Sequence, residues 1–137
     1  MLREDIQTTQ DAAQKLQRAF SKAHDRIMKK EGINSTTQLL GGVFAQLDET
    51  GQGDWAFVGC SVGHCKAFTL HLADLSVVDI TENNYLADGK PKGGLGPVNG
   101  RSPNLDNMLL YCHICRPGDL LVLTTQGVHK NFHPQSV

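Results

Sequence analysis

Gly118-Asp119-Leu120-Leu121-Val122-Leu123-Thr124-Thr125-Gln126-Gly127-Val128-His129-Lys130-Asn131 is the stretch from which the fold is read. Arg116-Pro117-Gly118-Asp119 is a turn by composition and opens directly into an unbroken apolar run. A short apolar run between turn signals predicts a buried sheet strand. The run stops at a glycine, with Gln126, His129 and Lys130 grouped just past its carboxyl end. Polar side chains leaving a rigid strand at its end are well placed to form a site.

Immediately upstream, Met108 to Cys115 predicts another strand, with Tyr111, His113 and Cys115 on one face. Before it, Thr81 to Asp106 is broken by glycine, proline and paired asparagines and shows no periodic apolar face. A connection of that length is functional or mobile, so residues 81–107 are expected to form a flap-like loop. Gly93-Gly94-Leu95-Gly96 has the composition of a phosphate cradle. With no strand before it and no helix after it, that signal carries little weight.

Further upstream the chain reads as an antiparallel meander over Leu39–Leu47, Trp55–Val62, Lys66–Leu72 and Ser76–Ile80. Asp48 to Asp54 is a hairpin loop by composition, and Gly63-His64-Cys65 a tight turn. In the second strand Ala56, Val58, Cys60 and Val62 share one face. Phe57, Gly59 and Ser61 share the other, where glycine suggests close approach by a backbone or a helix. In the third strand Phe68, Leu70 and Leu72 are expected inward. Thr69 and His71 are then outward, with His71 facing solvent.

The amino-terminal part, residues 4–30, reads as one helix, with Leu16, Phe20, Ala23 and Ile27 on a stripe flanked by Ala12, Ala13 and Ala19. Thr8 or Thr9 could instead cap a shorter helix. Lys29 and Lys30 suit a helix carboxyl end, and Gly32 suits a C-cap. The stripe stops after about four turns, which predicts one face packed on a sheet rather than a coiled coil. His24 lies in the charged part and is read as solvated. The organisation is one α+β domain over residues 1–137: helix 4–30, sheet 38–80, loop 81–107, sheet 108–126.

Composition narrows the function classes. Charged residues at 20% and hydrophobic residues at 39% suit a folded domain rather than a disordered chain. A net charge of −1 with no basic block argues against nucleic acid. No apolar run reaches a membrane span and the amino terminus is no signal peptide, so a cytoplasmic or nuclear protein is expected. Cys60, Cys65, Cys112 and Cys115 read either as a zinc site or as free thiols. Free thiols are preferred, because strand positions i and i+3 point to opposite faces. Disulfides do not suit that compartment.

Several patterns, in order, resemble the metal-dependent serine/threonine phosphatases of the PPM (protein phosphatase 2C) family. The helix followed by Ser35-Thr36-Thr37-x-Leu39-x-Gly41 is similar to the family's helix and threonine-led strand. Trp55 to Val62 with Gly63-His64-Cys65-Lys66-Ala67-Phe68 resembles its strand pair around a Gly-Asp-Ser/Cys-Arg/Lys-Ala turn. Gly94-Leu95-Gly96 resembles part of its flap, and the opening stretch its strand ending in Asp-Gly-Val-x-Asp-Asn. The resemblance covers nearly the whole chain. It implies an antiparallel β-sandwich flanked by helices, with a site where carboxylates hold two manganese or magnesium ions and a bridging water attacks phosphorus.

The departures fall on the acids. His64 stands at the aspartate of the Gly-Asp turn, Gln126 at the aspartate of Asp-Gly, and Lys130 at that motif's second aspartate. The family's Asp-Gly-His-Gly segment has no counterpart before residue 35, and its last Asp-Asn strand would lie beyond Val137, so a partial domain is expected. Glutamine is a weak ligand for a hard cation. A lysine ammonium repels one by on the order of 4 kcal/mol at close range with an effective dielectric near 20.

The resemblance therefore implies a catalytically inactive, phosphatase-like domain with no catalytic residues and no metal cofactor. It would act as a protein-binding or regulatory module. Lys66, His129 and Lys130, with His64, are the candidates for contacting a phosphoryl group. The alternative is an active phosphatase with an altered centre, in which His64, His129 and His133 supply imidazoles to zinc. A protein partner is expected, along with self-association through an exposed strand edge.

Overall fold

The computed structural model describes residues 6, 8–30, 35–47, 53–84, 93–99 and 102–131. In chain order these form α1 (Thr9–Lys29), β1 (Leu39–Gln46), β2 (Trp55–Val62), β3 (Lys66–His71), β4 (Ser76–Asp79), and a 3-10 turn at Glu82–Asn84. Then follow β5 (Gly94–Asn99), β6 (Ser102–Asn104), β7 (Leu109–Cys115), β8 (Leu120–Thr124) and α2 (Gln126–His129). Every strand pair is antiparallel, so the architecture is α+β.

Helix α1 begins where the shorter reading put it. The Thr8 hydroxyl accepts the Asp11 N–H at 3.0 Å, satisfying one of the free amide donors of the first turn. Ile6 precedes the helix; the rest of the expected extension to residue 4 lies outside the described residues, as does Gly32. At the other end Lys30 leaves in an extended conformation, its N–H bonded to the Ile27 carbonyl. Ala12, Leu16 and Phe20 form the buried stripe and pack on Val58, Cys60 and Val62 of β2. The single-face expectation therefore holds.

Strand β2 is the centre of a three-stranded sheet ordered β1-β2-β7, with Gly59 opposite both Gly42 and Tyr111. A second sheet is ordered β4-β3-β8. The chain passes directly from the first sheet to the second twice, at Gly63–Cys65 and at Arg116–Asp119. Because β2 and β7 run in opposite directions, these passages lie at opposite ends of the pair.

The faces of β3 are reversed from the sequence expectation. Ala67 and Thr69 are fully buried, and His71 turns toward the first sheet, its ring 6.0 Å from that of His113. Leu72 lies in the following turn, nearly half exposed. The expectation assumed that the apolar face goes inward. Here the space between the sheets is lined by Ser61, Thr69, His71, Tyr111, His113 and Cys115, and the apolar face of β3 looks out. A strand's side chains alternate, so misjudging the face inverts every residue at once.

The loop expected over 81–107 contains structure. Strands β5 and β6 form a hairpin with a register irregularity. Leu95 is only 1% exposed and joins the α1 core, held by a reciprocal pair of 2.8 Å backbone bonds to Thr37. Gly96 adopts a left-handed φ of 101°, which bends the strand there. His24, read as solvated, accepts the Gly96 N–H through Nδ1 at 3.1 Å.

The glycine at position 59 admits a side chain rather than a backbone. The Tyr111 ring lies over its Cα, where a methyl group would collide with it. Gly59→Ala is expected to lower stability by about 1–3 kcal/mol in urea titration through overpacking. Gly41→Ala, where the same space is open, should change it little.

Candidate functional site

At the end of the pair where β2 turns into β3, Gly63 adopts a φ of 92° that a side chain would strain. The buried Asn107 side chain clasps it, accepting the Gly63 N–H at 3.1 Å and donating to its carbonyl at 2.9 Å. His64 follows in this fixed corner. Lys66 pairs in register with Thr124, which brings the end of β8 to the same place.

Helix α2 starts there, and the His129 Nε2 lies 2.7 Å from the His64 carbonyl. A carbonyl only accepts, so Nε2 carries the proton and donates it. Burial, then Lys130 and then His129 push the His64 imidazole below its ordinary value of 6.5. His64, His129 and Lys130 are thus brought together. Gln126 opens α2, and its carbonyl accepts the Lys130 N–H at 3.1 Å. Lys66 points elsewhere, its ammonium bonded to Asp79 Oδ2 at 2.6 Å on the outer face of the second sheet.

A hard divalent cation needs anionic oxygens. At these positions the chain offers an amide, an imidazole, a carbonyl already in use and an ammonium, a donor set that does not fit manganese or magnesium. Among the described residues no three His, Cys, Asp or Glu side chains are grouped to hold a metal ion. His133, needed for the zinc alternative, lies outside the described residues. The four cysteines are free thiols. Cys60 packs in the α1 core with its pKa pushed up to about 11 by burial, Cys65 and Cys115 are also raised by burial, and Cys112 is exposed.

The opposite end holds a cluster that the sequence reading missed. Asp119 Oδ2 accepts the Arg116 N–H at 2.8 Å, the turn role expected of it, and also bonds His71 Nδ1 at 2.8 Å. The Arg116 amide first, and then His71, hold the Asp119 carboxyl below its usual range, against partial burial. An ionised carboxylate only accepts, so His71 Nδ1 carries the proton. His113 faces His71 with its Nε2 buried and unpartnered, as is Thr69 Oγ1. Burial and His71 lower the His113 pKa, against an opposing pull from Asp119. The cluster sets one paired His71–Asp119 couple beside two unpartnered polar atoms between the sheets. One sequence signal marks it: Thr69 and His71 on β3, and Tyr111 and His113 on β7, are polar-tipped residues two apart on one face of each strand.

No family model matches the chain, and no solved structure matches it. A Drosophila melanogaster protein described as a PP2C-like domain-containing protein is similar, 28% identical over 133 residues. Those residues make up 93% of this chain and 18% of that protein, so the chain spans less than a fifth of its relative. The similarity is distant, and it agrees with the resemblance read from the motifs. Among the described residues no helix is long and apolar enough to cross a membrane.

Asn107→Ala leaves both Gly63 backbone groups without their partner and is expected to cost about 3 kcal/mol in chemical denaturation. The two depressed imidazoles predict acid sensitivity. His64 and His113 take up protons less readily folded than unfolded, so the stability they contribute is present above pH 6.5 and lost as pH falls below it. The melting temperature should therefore drop between about pH 7.5 and about pH 5.5. His113→Gln should flatten that slope.

Proposed function

We propose that this chain is a PP2C-like domain that has given up metal-dependent hydrolysis and serves as a protein-binding or regulatory module. The observation that carries this reading is the chemistry past the end of β8, where Lys130 and His129 come beside His64 and Gln126 begins the turn that carries them. Two-metal hydrolysis depends on carboxylates that concentrate negative charge and lower the pKa of a bound water. The Lys130 ammonium reverses the sign of the local field, and the two imidazoles add no negative charge to offset it. The same groups suit an oxyanion, which charge-assisted hydrogen bonds would hold without cleaving. A phosphorylated segment of a partner would meet His64, His129 and Lys130, with Lys66 held back by Asp79.

The test is manganese titration calorimetry alongside a p-nitrophenyl phosphate assay. The expected result is no manganese-dependent turnover and no saturable manganese binding near neutral pH. The combined variant His64→Asp, Gln126→Asp and Lys130→Asp should gain manganese affinity by at least about tenfold, since removing the ammonium alone relieves repulsion on the order of a few kcal/mol. Robust wild-type turnover that chelation abolishes would overturn the proposal.

A further inference from the structure

Helix α1 carries a row of cations that packing on the sheet does not require. Lys15, Arg18, Lys22, Arg26 and Lys29 are all the lysines and arginines of the helix, each three or four residues after the last. At about 3.6 residues per turn they fall within an arc of about 80°, and a rise of about 1.5 Å makes them a ridge roughly 21 Å long. Arg18, Lys22, Arg26 and Lys29 are exposed. The buried stripe of Ala12, Leu16 and Phe20 lies on a different face, against β2. Like charges three or four apart destabilise a helix, and exposed helices relieve them with an acid at the same spacing. Lys15 has that relief from Asp11 at 3.1 Å, but among the described residues Arg18, Lys22, Arg26 and Lys29 make no ion pair. Arg26 and Lys29 suit the negative carboxyl end of the helix, whose pull fades within the last turn; Arg18 and Lys22 lie before it.

We infer that this ridge is a docking surface for an acidic helix of a partner protein. Spacing selects the partner. A helix with Asp or Glu three and four residues apart repeats its charge every 4.5 or 6 Å or so, in the same steps as the ridge. An extended chain presents one side only about every 6.6 Å and falls out of step. The ridge's steps of three, four, four and three read alike in both directions, so a parallel or an antiparallel helix fits.

Other occupants fit less well. A second copy does not supply the acids, because Asp or Glu at i, at i+3 or i+4, and again at i+7 occurs nowhere in this sequence. Seating on anionic lipid uses large apolar side chains beside the cations, and among the described residues of α1 none is exposed. A net charge of −1 disfavours a long nucleic acid, which feels the field of the whole domain. An apolar face needs lasting cover, whereas a charged one is stable in water, so the ridge suits a partner that comes and goes. It shares no residue with His64, His129 and Lys130, and it stands whether or not the chain is an enzyme.

The test is an amide-shift titration of the nitrogen-15-labelled full chain with two synthetic helical peptides of identical composition. One carries glutamates at i, i+3, i+7, i+11 and i+14; the other spreads them around the helix. At about 50 mM salt the first should bind with a dissociation constant on the order of 100 µM, since exposed pairs are individually weak. It should bind about fivefold or more tighter than the second, with shifts centred on the exposed face from Arg18 to Lys29. The double variant Arg18→Glu with Lys22→Glu should lose the glutamate peptide and gain a lysine peptide of the same pattern, a reversal that an unfolded chain would not give. Lys130→Ala should bind like the wild type; loss of binding there would move the contact to the end of β8 and overturn the inference. Equal affinity for the two glutamate peptides, or no binding, also overturns it. So does tighter binding of the ridge to phosphatidylserine vesicles or to single-stranded DNA than to the patterned peptide.

Discussion

Trp55–Val62 has neighbours in four directions, and the other described elements take their places around it. Backbone hydrogen bonds tie it to β1 on one side and β7 on the other, α1 covers one face, and the second sheet covers the other. All of its residues after Trp55 are buried. A strand enclosed in this way must be narrow, and Ala56, Gly59, Cys60 and Ser61 keep it so. The rings of Phe57 and Tyr111, 6.2 Å apart, take up the room that the small residues leave. The position of each layer follows from the width of this one strand.

Much of this frame was legible in the sequence, because period-two alternation and a four-turn apolar stripe are local signals. Trp55–Val62 is read to the residue, and the other strands of the two sheets to within a residue or two. What failed was any feature decided across the chain. The face of β3 was misjudged because the interior between the sheets is polar, so hydrophobicity pointed the wrong way. The β5–β6 hairpin was unreadable because its one anchored apolar residue, Leu95, is held by Thr37, far away in sequence. Asn107 looked like a loop residue, although its side chain reaches a turn 44 positions away.

The candidate site divides along the same line. That His64, His129 and Lys130 would gather at one end followed from the resemblance, and hydrogen bonding and charge place them there. Lys66 was grouped with them through the resemblance of its turn, but its ammonium is bonded to Asp79, which also accepts the Thr81 N–H and hydroxyl at 2.9 and 2.7 Å. Alternation along β3 decides which face Lys66 takes, and that face is known only once the inner face of the strand is known.

The carboxamide that grips Gly63 gives that corner the pair of bonds a neighbouring strand would otherwise supply. In centres built around bound cations, the ion often cross-links the loops that hold it, and stripping it loosens them. Here a neutral side chain does the cross-linking from within the chain. The bend carrying His64 therefore has its support from Asn107, 44 positions away, and not from the side chain at position 64.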